Sequence, residues 1–288
     1  MKYYRMFLAL LVGAGLLAAC QNPQLPSGPS AEDPLPEEPG TEEPVPDEPL
    51  PEDPEPEPEP EPDPDPDPPA LTETTIMIDF QSETSGIVAE GFAASGTART
   101  PEPGQLDADA WSITGFSDGD VAFGQEVATG DIARGTSTGG ETVGGLYAFS
   151  VADDDVALGV QPTSSDFAPG SLILSLPAPS DAVSSISLSF RFWTYNDQGR
   201  ATAWSVAYST DGAEWIALPE LAHTTPPAED EAPQWQSADY EVSVALESVD
   251  LATGAPVYIR WSAEDGEGAG SRDESALDNI QVTFTHPE

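Results

Sequence analysis

Beyond residue 70, apolar and polar residues alternate with a period of two over many short stretches. The clearest is residues 186–192, where Ile, Leu, Phe and Phe alternate with Ser, Ser and Arg. The same alternation recurs in further stretches around Ile78, Leu174, Val206, Val242, Ile259 and Val282. Successive side chains of a β-strand point to opposite faces, so this period predicts strands with one buried face.

Clusters of turn-forming residues separate these predicted strands, at residues 196–199, 211–212 and 265–268. Asp211-Gly212, between two short apolar segments, indicates a hairpin turn. No stretch longer than about ten residues has a helical period. Residues 71–288 therefore predict one all-β domain, a two-layer antiparallel β-sandwich of the jelly-roll type. Within it, the glycine-rich residues 92–145 predict long loops with a few short strands.

Residues 1–19 have the pattern of a secretory signal peptide. Lys2 and Arg5 form a short positive region, and residues 6–16 are an apolar run. This run is shorter than the about 20 apolar residues that cross a bilayer, and small residues suited to a cleavage site follow it. We therefore expect export, with removal of residues 1–19.

Cys20 is the only cysteine of the chain and directly follows this signal. The sequence Leu17-Ala18-Ala19-Cys20 resembles the lipobox of bacterial lipoproteins. The resemblance implies cleavage before Cys20, attachment of acyl chains to it, and anchoring in a membrane. Gln21 stands where an aspartate would favour retention at the inner membrane, so the resemblance also implies the outer membrane or the cell surface.

Residues 20–70 form a segment in which proline alternates with glutamate or aspartate. It has too few apolar side chains to form a core, and proline at every second position excludes helix and sheet. The composition predicts a disordered stalk that favours polyproline-II and reaches on the order of 150 Å when extended. A spacer is the simplest interpretation, and a cation-loaded or partner-binding acidic segment is the alternative.

The charge balance restricts the partners. With 52 acidic and 8 basic residues, the chain has a net charge of −44. Such a surface lacks the electrostatic attraction that drives binding to nucleic acids, so no nucleic-acid partner is expected. It favours divalent cations, neutral glycans or basic proteins. Adaptation to saline surroundings would explain the same acidity without any ligand.

Several short segments, taken together, resemble a jelly-roll domain family of secreted and surface-anchored bacterial proteins. The matching segments are residues 130–135, 144–149, 157–159, 196–201, 208–212, 259–261 and 270–280. In that family the domain often stands beside extracellular nuclease, phosphoesterase or lamin-tail-like modules and is accessory to them. The resemblance implies a jelly-roll fold and an extracellular location, without an activity of the domain's own.

The sequence contains no complete catalytic set. Its two histidines, His223 and His286, lie in no recognisable motif, and Lys2 is the one lysine. Nucleophilic catalysis needs a neighbouring base, and metal-dependent phosphoesterases need clustered His and Asp ligands, so both are disfavoured. Glycoside hydrolysis needs only two carboxylates and stays open as an alternative. His286, close to the end of the sequence, is expected to be a solvated tail residue.

Calcium is the predicted cofactor, because Ca²⁺ takes about six to eight oxygen ligands from carboxylates and carbonyls. Candidate ligands lie in acidic turns, at Asp118, Asp120, Asp153, Asp154, Asp155, Asp265 and Asp273. Asp79 and Asp278 form a second candidate site, since they could meet if the first and last strands pair. The alternative is that all of these are exposed turn carboxylates without a metal.

A ligand-binding face is predicted from the alternation. Arg191, Trp193 and Tyr195 share one face of their strand, and Tyr258 and Arg260 share one face of theirs. If those strands lay in the same sheet, their aromatic and arginine side chains would line its outer surface and could stack on sugar rings. The alternative is that loops cover this face and turn it into a minor core.

The sequence as a whole favours a non-catalytic, surface-tethered module that binds glycans or envelope proteins. On this hypothesis, ligand affinity should fall with Trp193→Ala. A carboxylate-type enzyme acting on polysaccharide and a purely structural acidic protein are the alternatives. Arg200 and Arg272, each near an acidic residue in a turn, are expected to form structural ion pairs.

Overall fold

The computed structural model describes residues 70–82, 87–180, 182–246 and 251–288. The predicted signal peptide, the predicted lipidation site Cys20 and the predicted stalk up to residue 69 lie outside the described residues. Within those residues, no helix is long and apolar enough to cross a membrane.

Strands make up most of the described secondary structure. In chain order they are β1 (Leu71–Ile78), β2 (Thr97–Ala98), β3 (Leu106–Asp107), β4 (Trp111–Thr114), β5 (Thr136–Ser137), β6 (Gly145–Ala152), β7 (Asp155–Gln161), β8 (Gly170–Pro177), β9 (Ser185–Tyr195), β10 (Arg200–Ser209), β11 (Ile216–Ala217), β12 (His223–Thr224), β13 (Trp235–Ala245), β14 (Pro256–Gly268) and β15 (Glu274–Pro287). Gly130–Ile132 and Pro219–Leu221 are single-turn 3-10 helices.

The strands form two main sheets, which confirms the predicted β-sandwich. The first sheet has the order β13-β9-β15-β7-β6-β5, with β1 also paired to β15. The second sheet has the order β11-β10-β14-β8-β4, with β12 also paired to β10. The long strands pair antiparallel, whereas the short β5 runs parallel to β6. The short strands β2 and β3 form a separate parallel pair.

The core lies between the two sheets and is built from the alternating apolar positions. In β9 the inward side chains are Ile186, Leu188, Phe190 and Phe192, all buried. In β14 the inward side chains are Val257, Ile259, Trp261 and Ala263, also buried. Aromatic rings from β9 pack edge-on against rings of the second sheet, as in the contact of Phe192 with Trp204. The predicted period of two therefore describes the inner faces correctly.

Strand β15 carries a bulge that keeps its apolar residues on the inner face. Its register against β9 shifts between Asp278 and Gln281, and Asn279 has a positive φ of 49°. One extra residue at this point lets Leu277 and Ile280 both face the core, although three positions separate them. Asparagine is among the residues that tolerate this left-handed conformation.

The first and last strands of the domain pair, which is the condition under which Asp79 and Asp278 could meet. β1 runs antiparallel to the second half of β15, with Ile78 opposite Ile280. β7 pairs with the first half of β15 along the same edge, so β1 and β7 meet at the bulge. The expectation for His286 is wrong, because this residue lies within β15 and its Nε2 is 3.0 Å from Thr74 Oγ1 across the pairing.

Two further expectations about local structure are confirmed. Residues 92–145 contain only the short strands β2 to β5 and one 3-10 turn before β6 begins at Gly145. The turn at Asp211-Gly212 joins β10 to β11, which pair with Tyr208 opposite Ile216. The Asp211 carboxylate accepts the N–H groups of Ala213 and Glu214 and so fixes the turn.

Candidate ligand-binding face

The predicted ligand-binding residues do not form one surface. Arg191, Trp193 and Tyr195 belong to β9 in the first sheet, whereas Tyr258 and Arg260 belong to β14 in the second. Both groups point away from the core, on opposite outer faces of the sandwich. The assumption that their strands share a sheet is therefore wrong.

Trp193 lies in a minor core on the outer face of the first sheet. It is 9% exposed and clusters with Tyr147, Phe149 and Ala276. The ring of Trp235 packs 4.9 Å from that of Phe149. This arrangement matches the alternative interpretation of the face as a covered surface.

A loop at residues 138–141, directly after β5, contacts Trp235 and Tyr195 beside this minor core. Trp235 Nε1 donates to the carbonyl of Thr138 at 2.9 Å. Gly139 lies so close to the Tyr195 ring that a Cβ at this position would be 2.9 Å from it. The glycine also has φ +103°, so it lets the loop approach the ring closely.

Arg191 is held in an ion pair at the edge of the same face. Its Nε donates to Asp239 Oδ1 at 2.8 Å, across the pairing of β9 with β13. The pair lines a hollow of about 310 Å³ together with Ser189, Tyr240 and Glu241. The guanidinium is thus already committed to a carboxylate of the protein.

The outer face of the second sheet is more open and carries a row of aromatic rings, here called the aromatic strip: Phe123, Trp215 and Tyr258. The Phe123 and Tyr258 ring centroids are 5.7 Å apart, and those of Trp215 and Tyr258 are 6.4 Å apart. Trp215 precedes β11 at one edge, Tyr258 lies on the central β14, and Phe123 follows β4 at the other edge. The strip therefore crosses the sheet.

Arg260 extends the aromatic strip with a cation. Its Cζ lies 4.0 Å from the centroid of the Trp215 ring, a cation–π geometry. Next to it is a groove of about 310 Å³, which is also lined by Thr114, Ser171, Ser262 and Glu264. The face thus combines flat apolar surfaces, hydroxyl groups and one guanidinium.

Sequence reasoning missed Phe123 and Trp215. Trp215 directly follows the predicted hairpin turn, which returns the chain to the edge of the sheet that carries Tyr258. Phe123 sits in the glycine-rich segment, where no period assigns it to a face. It is 40% exposed.

The predicted calcium ligands in the turns make hydrogen bonds and ion pairs within the protein. Asp118 Oδ2 accepts the N–H of Asp131, and Asp120 Oδ1 accepts the N–H of Gly115.

Asp265 pairs with both Arg200 and Arg272, as expected for structural ion pairs. Hydrogen bonds from Arg272 hold the pKa of Asp265 below its usual value. In the described part of the chain, no three His, Cys, Asp or Glu side chains converge closely enough to hold a metal.

Two successive carboxyl groups at the start of β15 are fully buried. Asp273 Oδ1 accepts the N–H of Gln198 at 2.9 Å, and its Oδ2 has no partner. Burial raises the pKa of Asp273 to about 7. Glu274 accepts the N–H of Glu141 at 2.5 Å and leaves its Oε2 without a partner. Burial raises the pKa of Glu274 as well.

The carboxyl of Asp278 lies at the bulge where β1 and β7 meet, and it is completely buried. Its Oδ2 accepts the Asn279 side-chain amide at 2.8 Å, while Oδ1 has no partner. Burial, and after it the neighbouring Asp155 carboxyl, raises the pKa of Asp278. Gln81 donates to Asp155 Oδ1 at 2.5 Å.

Asp79 does not share these contacts. Its carboxylate accepts the backbone N–H and the hydroxyl of Ser82, at 3.1 and 2.9 Å, and so caps the turn after β1. The carboxyl that neighbours Asp278 is that of Asp155, at the start of β7, rather than that of Asp79. Asp153 and Asp154 lie in the exposed turn between β6 and β7.

The fold of this chain is similar to parts of several solved structures. No protein-family model and no curated protein matches this chain. The enzymatically active domain of tailspike protein 4 from bacteriophage CBA120 is 9% identical with a TM-score of 0.32, over 62% of this chain and 20% of that one. The chain thus spans a fifth of the length of that tailspike chain.

Two smaller domains are similar over about half of this chain. The K3 cleaved adhesin domain of Lys-gingipain from Porphyromonas gingivalis w83 is 16% identical with a TM-score of 0.31, over 47% of this chain and 78% of that one. The xylan-binding domain CBM22-1 of Xyn10C from Paenibacillus barcinonensis is 12% identical with a TM-score of 0.30, over 50% of this chain and 82% of that one.

Proposed function

We propose that this chain is an exported, surface-tethered lipoprotein whose β-sandwich binds glycans without catalysing a reaction on them. The proposed contact surface is the aromatic strip together with Arg260. Lipid anchoring at Cys20 and display at the outer membrane or cell surface are part of the proposal and rest on the sequence. Contact with envelope proteins through the same face is the alternative form of this function.

The observation that carries the proposal is the aromatic strip itself. Three partly exposed rings stand on the outward side of a sheet whose inward side is packed in the core. Sugar rings present apolar C–H faces that stack on aromatic rings, and burying such surface stabilises the complex. Serine hydroxyls and the Arg260 guanidinium lie beside the rings, where they can bond sugar hydroxyls.

The placement of the unusual carboxyl groups supports a role without catalysis. Glycoside hydrolysis uses a pair of carboxyl groups that flank the scissile bond, one of them with a raised pKa. Asp273, Glu274 and Asp278 have raised pKa values, but all three are fully buried in the protein. A polysaccharide at the surface would not contact them.

The proposal is tested by screening the full chain for binding to soluble polysaccharides and oligosaccharides by calorimetry. We expect saturable binding to one class of glycan. Tyr258→Ala and Trp215→Ala should each weaken it at least tenfold, because each removes a stacking surface; tenfold corresponds to about 1.4 kcal/mol.

Tyr195→Ala is the matched control, since this tyrosine lies on the outer face of the other sheet. The affinity of this variant for the glycan should stay within twofold of the affinity of the unchanged protein. Absence of binding to any glycan would overturn the proposal, as would equal losses in the Tyr195 and Tyr258 variants. Release of reducing ends from a bound glycan would contradict the non-catalytic part.

A further inference from the structure

We propose that the sugar bound at the aromatic strip carries a carboxylate, as a uronic acid does, and that Arg260 binds this carboxylate. The inference rests on the proposed glycan binding and narrows it to a class of ligand.

Five of the six arginines in the described residues have a carboxylate of the protein within 4.0 Å. The pairs are Arg99 with Asp109, Arg134 with Asp131, Arg191 with Asp239, and both Arg200 and Arg272 with Asp265. Arg260 is the exception among the described residues. In a chain with 52 acidic residues, an arginine without a carboxylate within 4.0 Å is unexpected.

The guanidinium of Arg260 is also incompletely satisfied. Its Nε is buried and has no hydrogen-bond partner among the described residues. Burial lowers the pKa of Arg260, since the charge is partly removed from water. The Trp215 ring covers one face of the guanidinium, and this cation–π contact offsets only part of the lost hydration of the charge. A bound anion would supply the counter-charge that the guanidinium lacks.

The shape of the site fits a carboxylate on a sugar ring. A guanidinium is planar and presents two parallel N–H groups that match the two oxygens of a carboxylate. The ring of Tyr258 lies beside Arg260 on the same side of β14, at the alternate position that shares its face. A pyranose stacked on the aromatic strip would therefore place a substituent over the groove next to Arg260.

The groove itself allows an anion to approach. Ser171 and Ser262 line it and hydrogen-bond each other at 2.9 Å, leaving further donor and acceptor capacity. Glu264 is the one carboxylate among its lining residues. The net charge of −44 repels anions at long range, but salt screens this beyond about 8 Å at 0.15 M. A short acidic oligosaccharide is therefore the appropriate probe, rather than a long polyanion.

The test compares trigalacturonic acid with its trimethyl ester, which has the same ring skeleton and no charge. Binding of each to the full chain is measured by calorimetry at 0.15 M salt. We expect the acid to bind at least tenfold more tightly than the ester. Arg260→Gln should abolish this preference, and Arg260→Lys should retain only part of it because the planar pair of donors is lost.

Arg191→Gln is the matched control, because Arg191 is an outward arginine on the other sheet that already has a carboxylate partner. It should leave the preference for the acid unchanged. Thermal unfolding of each variant checks that it is folded. Equal affinity for acid and ester, or a preference that survives Arg260→Gln, would overturn the inference.

The outcomes also separate this inference from the proposed function. Equal binding of acid and ester that is lost in Tyr258→Ala would overturn the carboxylate inference and leave glycan binding in place. Failure to bind any glycan would overturn both. Binding of triglutamate as tightly as the trigalacturonate would assign Arg260 to an acidic peptide and overturn the sugar part of the inference.

Discussion

Trp261 packs edge-on against Phe190 across the sandwich, with ring centroids 5.7 Å apart and ring planes at 88°. Trp261 belongs to β14 in the second sheet and Phe190 to β9 in the first, so this contact joins the two sheets. Tyr258 and Arg260 point to the opposite side of the same strand β14. One strand thus supports the core on one face and the proposed binding surface on the other.

The inward side of β14 should therefore determine stability. We expect Trp261→Ala to lower the free energy of unfolding by about 3–5 kcal/mol, because it leaves a large cavity between the sheets. Tyr258→Ala, on the outward side, should cost about 1 kcal/mol or less. Urea unfolding of the full chain measures both, and similar losses in the two variants would contradict this division of roles.

The buried position of Trp193 leads to a second prediction, which replaces the expectation that this residue binds the ligand. Trp193→Ala should lower the free energy of unfolding by about 2–4 kcal/mol, since it empties the minor core on the first sheet. The affinity of the folded variant for the glycan should not change. A loss of glycan affinity comparable to that of Tyr258→Ala would contradict this prediction and show that Trp193 contributes to binding.

The period of two in the sequence was sufficient to predict the strands and the inner faces of β9 and β14. It could not predict which sheet each strand joins, because β9 and β14 each pair with strands that are far away in sequence. For this reason the sequence correctly grouped Tyr258 with Arg260 but wrongly joined them to Trp193. Trp193 is buried in a cluster with Tyr147 and Phe149, which come from a strand far away in sequence, so the period of two within β9 could not predict its burial.

The bulge in β15 left a weak signal in the sequence. Leu277 and Ile280 are three positions apart, a spacing that breaks the period of two just before the regular final stretch. An asparagine between them suits the positive φ that a bulge requires. The neighbour of Asp278 could not be inferred in this way, because Asp155 reaches it through the junction of two other strands with β15.

Calcium binding stays a prediction, and we expect it where β1 and β7 meet at the bulge of β15. Asp278 leaves one buried oxygen without a partner, and the neighbouring Asp155 carboxyl adds oxygen atoms of the kind that Ca²⁺ prefers. Calcium should raise the free energy of unfolding, by about 2.7 kcal/mol at a 100-fold excess over its Kd. Asp278→Asn should remove this response, which is measured by urea unfolding with calcium and with chelator.

Asp154→Asn is the control for the calcium experiment. Asp154 lies in the exposed turn just before β7 and has a positive φ of 58°, which asparagine tolerates. This variant should respond to calcium as the unchanged protein does. If calcium has no effect on the unchanged protein, or still stabilises Asp278→Asn, the junction does not bind it.

His223 gives a prediction about pH. Its Nδ1 is 2.7 Å from the hydroxyl of Tyr240, its Nε2 is 3.2 Å from Thr194 Oγ1, and its ring packs 4.4 Å from Phe192. Burial lowers the pKa of His223 from 6.5 to about 4, so the folded protein holds the ring neutral. Burial also raises the pKa of Tyr240, which stays neutral over this range.

The unfolded chain takes up a proton at His223 as the pH falls below 6.5, whereas the folded chain does so only near pH 4. The stability that depends on the neutral ring is therefore complete above pH 6.5 and is lost between pH 6.5 and about 4. The loss amounts to at most about 3 kcal/mol.

His223→Gln cannot titrate in this range, so the difference in unfolding free energy between the unchanged protein and this variant should shrink as the pH falls. Other titrating groups are common to both proteins and cancel in this difference. A difference that stays constant from pH 6.5 to 4 would mean that His223 is not held neutral by the fold.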